Sequence, residues 1–392
     1  MKRYFTFALA LLLVFSLVGC KQTAAEPTNA PTETTTPTET TAPAETTPQV
    51  TGEQQPMAAI VMPVITEEKT AEDGTVLLSY VYQNITLTVP DPEVADKVIV
   101  DFLNKTDHHD TADSLYAAAQ KAYSQGTAMS DPYICSTVYT PMRIDLGVLS
   151  LFGSFVAYEG GAHGSQASTA VSYDLLTGNA LTWKDILQDD ATSEQICQLV
   201  LDALAEQENE TDLFPDYADT VKNIFSQGLQ NHADWYFSVD GLCCFFSPYE
   251  IGPFAAGTVV AEIPYSKLTG ILKDGYFPPE RDTLSDSLTV ADFDPDKLAD
   301  FSQFTEIVLD ENAKQTVVYT YAVAYDVRLE VGSISSYNGK FIPEHTVLGC
   351  ATLTPGDGIM IQAATDDPSC ALRLTYTANG EAKELLLTQT EK

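Results

Sequence analysis

Glu159, His163, Ser165 and Asp174 lie within one short stretch of the chain and are the residue types a hydrolase uses. A serine nucleophile needs a base within hydrogen-bond reach and a carboxylate to orient that base. The spacing argues against this chemistry. No glycine stands two residues after Ser165, so the Gly-x-Ser-x-Gly elbow is absent. His163 has no second histidine at helical spacing, and the adjacent pair His108 and His109 must point their side chains apart. Neither Cys-x-x-Cys nor His-Glu-x-x-His occurs anywhere, and Asp357, Asp366 and Asp367 lack the spacing of a calcium loop. The expectation is a protein that is not an enzyme, with no catalytic residue, no metal and no cofactor.

What the stretch does carry is glycine. Gly160, Gly161 and Gly164 allow positive φ, so the segment reads as a turn between two strands. Aromatic side chains gather in two places, Tyr158 with Trp183, and Trp235-Tyr236-Phe237 with Tyr249. Aromatic faces suit sugar rings and protein hot spots alike. Tyr158, Glu159, His163, Trp183, Trp235 and Tyr249 are therefore the candidate ligand contacts. Core packing is the competing role for the aromatics.

The elements that must position them follow from pattern. Val76 to Val89 alternates as strand with a break at Asn84. Asp91-Pro92-Glu93 opens a helix with Val94, Val98 and Phe102 at four-residue spacing. A second helix over 111–125 carries Leu115, Ala118, Ala119, Ala122 and Tyr123, and Gly126 ends it. Tyr133 to Val156 reads as two strands broken by Pro141 and Gly147, and Ala170 to Leu175 as another. Thr192 and Gln195 have capping-box spacing, and the helix they open places Ile196, Leu199, Val200, Ala203 and Leu204 on one stripe. A further helix carries Val221, Ile224, Phe225 and Leu229. Two apolar strands then flank Asp240-Gly241, a hairpin signal, and Thr258 to Ile263 is the next strand.

Several of these residues together resemble a known family. Tyr158-Glu-Gly-Gly-Ala-His-Gly, Tyr173-Asp174, Thr177-Gly178 with Leu181, and Trp183 to Leu187 look like the RsiV-type extracellular domain. Gly241 to Phe246, Pro248-Tyr249-Glu250-Ile251, and Gly257 to Pro264-Tyr265 look like it too, over roughly residues 75–272. That domain also stands beside the catalytic domain of the peptidoglycan deacetylase PdaC and in many lipoproteins. The 75–145 half resembles the partner domain that usually precedes it. In RsiV the ectodomain binds lysozyme and so releases a sigma factor. This sequence lacks the cytoplasmic sigma-binding segment and the membrane span, so the resemblance implies ligand binding without the anti-sigma role.

The ends of the chain set its expected address. Lys2 and Arg3 precede an apolar run from Phe5 to Leu17 that is short for a membrane span. Leu17-Val18-Gly19-Cys20 resembles the lipobox of bacterial lipoproteins, in which Cys20 would be lipidated. Residues 20–56 are a Thr/Pro-rich tract that cannot bury enough apolar surface to fold, and read as a disordered tether. After Tyr276-Phe277-Pro278-Pro279, a linker over 273–292 leads to short β runs with turn signals between them. These runs include Thr305–Leu309, Thr316–Tyr325, Val327–Val331 and Thr346–Leu353. The expected fold class is α+β, mostly antiparallel sheet with packed helices, followed by a C-terminal all-β sandwich. The expected domains are 1–19 signal peptide, 20–56 tether, 57–272 RsiV-like (75–145 partner half, 146–272 core half), 273–292 linker and 293–392 sandwich.

Fifty-five acidic residues against 20 basic give a net charge of −35, which excludes nonspecific nucleic-acid binding and suits a basic partner. Cys243 and Cys244, neighbours on a strand, point to opposite faces, whereas Cys350 and Cys370 could bridge two strands or remain buried thiols. The expected protein sits on the extracellular face of a bacterial, Gram-positive cell membrane through Cys20. It binds cell-wall glycan (peptidoglycan) or a lysozyme-like hydrolase. The alternative is a structural or assembly module of the envelope.

Overall fold

The computed structural model describes residues 58–127, 131–161, 164–189, 191–207, 211–229, 234–280, 288–292, 303–320, 323–363, 371–378 and 380–387. The expected leader, Cys20 and the tether lie outside these residues, as do His163 and Cys370.

Strands β1 (Ala59–Val61) and β2 (Val64–Thr70) come first, then β3 (Val76–Gln83) and β4 (Thr86–Thr88). The break at Asn84 is local chemistry: its side-chain oxygen accepts from the Ile85 amide at 2.9 Å. Helix α1 (Pro92–Thr106) starts where the Asp91 carboxylate accepts from the Glu93 amide at 3.0 Å, and it buries Val94, Val98 and Phe102. Helix α2 (His109–Ser124) begins earlier than the pattern suggests and buries Ala112, Leu115 and Ala119. Strands β5 (Tyr133–Ile144), β6 (Val148–Tyr158), β7 (Ser165–Asp174) and β8 (Asn179–Ala180) follow. They complete a six-stranded sheet of order β2-β3-β5-β6-β7-β8. Among the described residues of this sheet only β3 and β5 pair in parallel, and α1 and α2 form the crossover such a pair needs. Pro141 does not break β5. The ladder slips between Pro141 and Arg143, which accommodates the missing N–H.

The next segment contains α3 (Trp183–Ile186), α4 (Ser193–Gln207), α5 (Tyr217–Ser226), β9 (Asp234–Phe237), β10 (Gly241–Phe246) and β11 (Val259–Pro264). The capping box is present: the Gln195 amide donates to Thr192 Oγ1 at 3.2 Å, and the Thr192 amide to Gln195 Oε1 at 2.8 Å. The sheet β11-β10-β9 is antiparallel, and its buried face joins Ile196, Val200, Leu204, Val221 and Phe225 in one core. Cys244 faces that core, while Cys243 faces Met142, Tyr236 and Phe245, as alternation requires.

The remaining strands are β12 (Thr289–Asp292), β13 (Gln303–Val308), β14 (Gln315–Tyr319), β15 (Ala324–Ile334), β16 (Phe341–Leu353), β17 (Asp357–Gln362), β18 (Ala371–Ala378) and β19 (Glu381–Leu387). The run expected over Thr316–Tyr325 is thus two strands, and Val327–Val331 belongs to β15. Four strands form the sheet β12-β14-β17-β13, and six form β19-β18-β15-β16-β1-β4. The two sheets share a core of Ile307, Val318 and Ile359 with Val327, Leu329 and Leu348. The fold is mixed α+β with several mostly antiparallel sheets and a β-rich C-terminal region.

The larger C-terminal sheet takes strands from both sides of the 273–292 segment. Ala59 pairs with Cys350 of β16 on one side and Thr88 of β4 on the other. At this junction Gly349 lies against Pro141, where a Cβ would stand 3.0 Å from the proline ring. Arg328 of β15 donates to the Met142 carbonyl, beside the slip in β5, at 2.7 Å.

Candidate functional site

The glycine-rich stretch is the connection between β6 and β7. Gly160 and Gly161 have φ of +89° and +100°, and Tyr158 Oη donates to the Gly161 carbonyl at 3.1 Å, closing the turn. Gly164 serves a different purpose from the positive φ expected of it. A Cβ there would stand 2.7 Å from the Ala157 carbonyl, so it is a close approach of backbone that requires glycine. Glu159 is exposed at this tip, and His163 lies outside the described residues.

Ser165 and Asp174, two of the four hydrolase-type residues, are not brought together. Ser165 opens β7 opposite Ala157, whereas Asp174 closes it opposite Val148. At about 3.3 Å per residue these ends are roughly 30 Å apart. Asp174 is a turn-former, its Oδ1 accepting from the Leu176 and Thr177 amides at 2.7 and 3.2 Å.

The Trp183 and Trp235 rings lie tilted at 49° to each other with centroids 5.3 Å apart, and Trp235 meets Phe237 edge-on at 5.1 Å. Trp183 is 4% exposed. Both belong to the core beneath α4, at the far end of the β6–β7 ladder from Tyr158. Tyr249 differs. It is 58% exposed with φ of +75°, a conformation a bulky side chain rarely adopts. Its amide donates to the Gly252 carbonyl at 3.0 Å, and its ring lies 5.7 Å from Phe254. The loop is fastened at its base, where Ser247 Oγ accepts from the Ser168 amide of β7 at 3.0 Å.

Two charged clusters escaped the sequence reading. Arg143 is 3% exposed, pairs with Asp145 at 2.7 Å, and donates to Tyr265 Oη at 2.7 Å and the Tyr276 carbonyl at 2.6 Å. Its guanidinium also lies over the Phe237 and Tyr265 rings. Burial raises the Tyr265 phenol well above its ordinary value, despite the opposing effect of Arg143. Such a node ties β5 to the segment after β11.

The second cluster sits where α1 turns into α2. Asp107 Oδ1 accepts from the His109 amide at 2.9 Å and lies 2.7 Å from His109 Nδ1. The His109 amide, then its ring, hold the Asp107 carboxyl below the usual carboxylate range. The His109 ring stands edge-on to Tyr80 at 4.9 Å, Tyr80 stacks on Tyr82 at 4.9 Å, and Tyr82 Oη donates to Glu67 at 2.7 Å. His108 turns the other way, toward Phe155 at 4.7 Å, and burial lowers its pKa. The divergence of the two histidines was legible. The cluster around His109 was not, because Tyr80 and Glu67 reach it from other strands.

Residues 184–266 match the family model described as a protein of unknown function, DUF3298. The match begins after the β6–β7 hairpin and spans α3 to β11, with Trp235 and Tyr249 inside it. A solved DUF3298 family member from Bacteroides fragilis is similar at 16% identity and TM-score 0.41, covering 56% of this chain and 94% of that one. A DUF3298 family protein from Pseudomonas aeruginosa is similar at 18% identity and TM-score 0.38, covering 58% and 99%. No curated protein matches the chain.

Proposed function

We propose that this is a lipid-anchored protein of the bacterial cell surface, held through Cys20, whose RsiV-like body binds an extracellular ligand without catalysis. The ligand is a basic, lysozyme-like protein, with peptidoglycan glycan as the competitor the test must separate. Tyr249 carries the reading. Its exposed ring is held at positive φ, a costly conformation for a bulky side chain, on a loop pinned to β7. The net charge of −35 supports a cationic partner by steering it toward the surface. The separation of Ser165 from Asp174 along β7 supports a non-catalytic role.

Calorimetry on the soluble fragment 57–392 with lysozyme and with peptidoglycan fragments tests the proposal. Lysozyme binding is expected to weaken with added salt, and Tyr249→Ala to weaken it about tenfold or more. Absence of binding to either ligand overturns it. Binding of peptidoglycan alone, unaffected by Tyr249→Ala, overturns the protein-partner assignment.

A further inference from the structure

We infer that the exposed face of α1, with the groove beside it, is a docking surface for a basic amphipathic helix of a partner protein. Val94, Val98 and Phe102 turn one side of α1 into the core, yet the opposite side carries Val100 and Leu103, 59% and 37% exposed. At three-residue spacing these two are neighbours on one stripe, so they form an apolar strip where a surface helix ordinarily shows polar residues. The groove has a volume of about 460 Å³ and lies between Val100 on α1 and Gly178, Asn179 and Ala180 after β7. Leu176, 76% exposed, stands on the same turn as Gly178 and adds an apolar side chain to it. Helix and turn are fixed to each other. Lys97 Nζ donates to the Thr177 carbonyl at 3.0 Å and to Asn179 Oδ1 at 2.6 Å, and a Cβ on Gly178 would stand 3.2 Å from the Val94 carbonyl. A partner therefore meets a preformed surface and spends little entropy in shaping it.

Charge names the occupant. From Asp91 to Asp107 five carboxylates stand against two lysines. Both lysines are already engaged, Lys97 with the turn and Lys105 with Asp101 at 2.6 Å. Glu93 and Asp96 are exposed and have no ion pair among the described residues, and Asp96 lines the groove one helical turn before Val100. A second copy of this chain would bring the same carboxylates face to face, at −35 per copy, so self-association through α1 is opposed. Anionic lipid and nucleic acid are opposed for the same reason. A cationic partner whose own apolar residues meet Val100 and Leu103 satisfies both the strip and the carboxylates. A helix suits α1, which at 15 residues is about 22 Å long, because the ridges of one helix seat in the grooves of another. Its matching pattern is two apolar residues three or four apart, with Lys or Arg one turn to either side. Ser168, which pins the Tyr249 loop, lies about 20 Å along β7 from Asp174, so this surface is separate from the one proposed above.

The test uses the chain from residue 57 onward, which contains every described element. Its probe is an Ala-rich synthetic helix of about 20 residues, long enough to be helical alone, with two leucines three apart and lysines one turn to each side. The contrasting probe carries glutamate in place of lysine. Fluorescence anisotropy is expected to show saturable binding of the lysine helix that weakens with salt, and binding of the glutamate helix at least about tenfold weaker. In NMR the shifted amides are expected on α1 and over 176–180. Val100→Lys places a good helix former at an exposed position, so it is expected to leave the Tm unchanged while weakening the lysine helix about tenfold. Asp96→Asn is expected to weaken it about threefold and to flatten the salt dependence. Tyr249→Ala is expected to leave this binding unchanged, so failure here and failure of the lysozyme proposal are separable. The inference is overturned by equal binding of the two helices, by unchanged affinity in Val100→Lys, or by shifts that fall away from α1. Sedimentation that shows a dimer broken by Val100→Lys assigns the face to a second copy and overturns it as well.

Discussion

Tyr249 and Cys350 show opposite uses of a single side chain. A non-glycine residue in the left-handed region costs of order 1–3 kcal/mol, and the contact the structure gives the exposed ring is a tilted one with Phe254. Tyr249→Gly is therefore expected to hold or raise the Tm by the equivalent of up to about 1 kcal/mol while weakening the proposed lysozyme binding. A drop in Tm would show that the ring is a packing group. Cys350 is buried, its Sγ donates to the Thr352 carbonyl at 3.3 Å, and burial pushes its thiol up to about 12. An unfolded thiol ionises near pH 8.5, so the unfolded chain releases this proton first. Stability is then fully present below about pH 8.5 and is lost on going up toward pH 12, by about 1.4 kcal/mol per pH unit for this thiol. Denaturant titrations from pH 8 to 10 should show a shallower decline for Cys350→Ala than for the parent. At this scale the sequence was partly readable. Alternation correctly separated Cys243 from Cys244, but Thr137 is one more β-former in a strand, and its buried, unpaired hydroxyl is visible only in the folded chain.

Elements were legible where the signal is local. Asp91, Thr192 with Gln195, and Asp240-Gly241 mark helix starts and a hairpin because the groups they satisfy lie within a few residues. Contacts between strands leave no such trace. Gly241 looks like an ordinary turn glycine, yet a Cβ there would stand 2.2 Å from the Ile263 carbonyl of β11. Gly241→Ala is accordingly expected to destabilise by about 1–3 kcal/mol in chemical denaturation, through forced separation of β10 from β11. A change below 0.5 kcal/mol would show that the hairpin yields freely. Gly164 belongs with it: its value lies in the carbonyl of Ala157, not in its own torsion angle. The elbow between α1 and α2 was likewise hidden, since its histidine acquires meaning only against Tyr80 and Tyr82.

For the whole molecule, β1 decides how the parts cohere. Three apolar residues ahead of Met62-Pro63 show no periodicity, so nothing local announces that they fill the gap between β16 and β4. Ile60 and Met62 are fully buried, and shortening the soluble fragment to begin at Val64 removes both. A loss of about 3–6 kcal/mol is expected, together with association through the newly open edge of β16. Calorimetry and light scattering on the shortened fragment would check it, and an unchanged, monomeric transition would refute it. Because β1 runs antiparallel to both neighbours, it also defines a load path. Tension applied to the chain ahead of Ala59 pulls this strand along its own axis. It loads both rows of hydrogen bonds in shear at once instead of peeling them one by one. The Met62 amide on the Val347 carbonyl and the Ala351 amide on the Ala58 carbonyl lock its two ends. A body that grips its leading strand in this way resists being unravelled from that end.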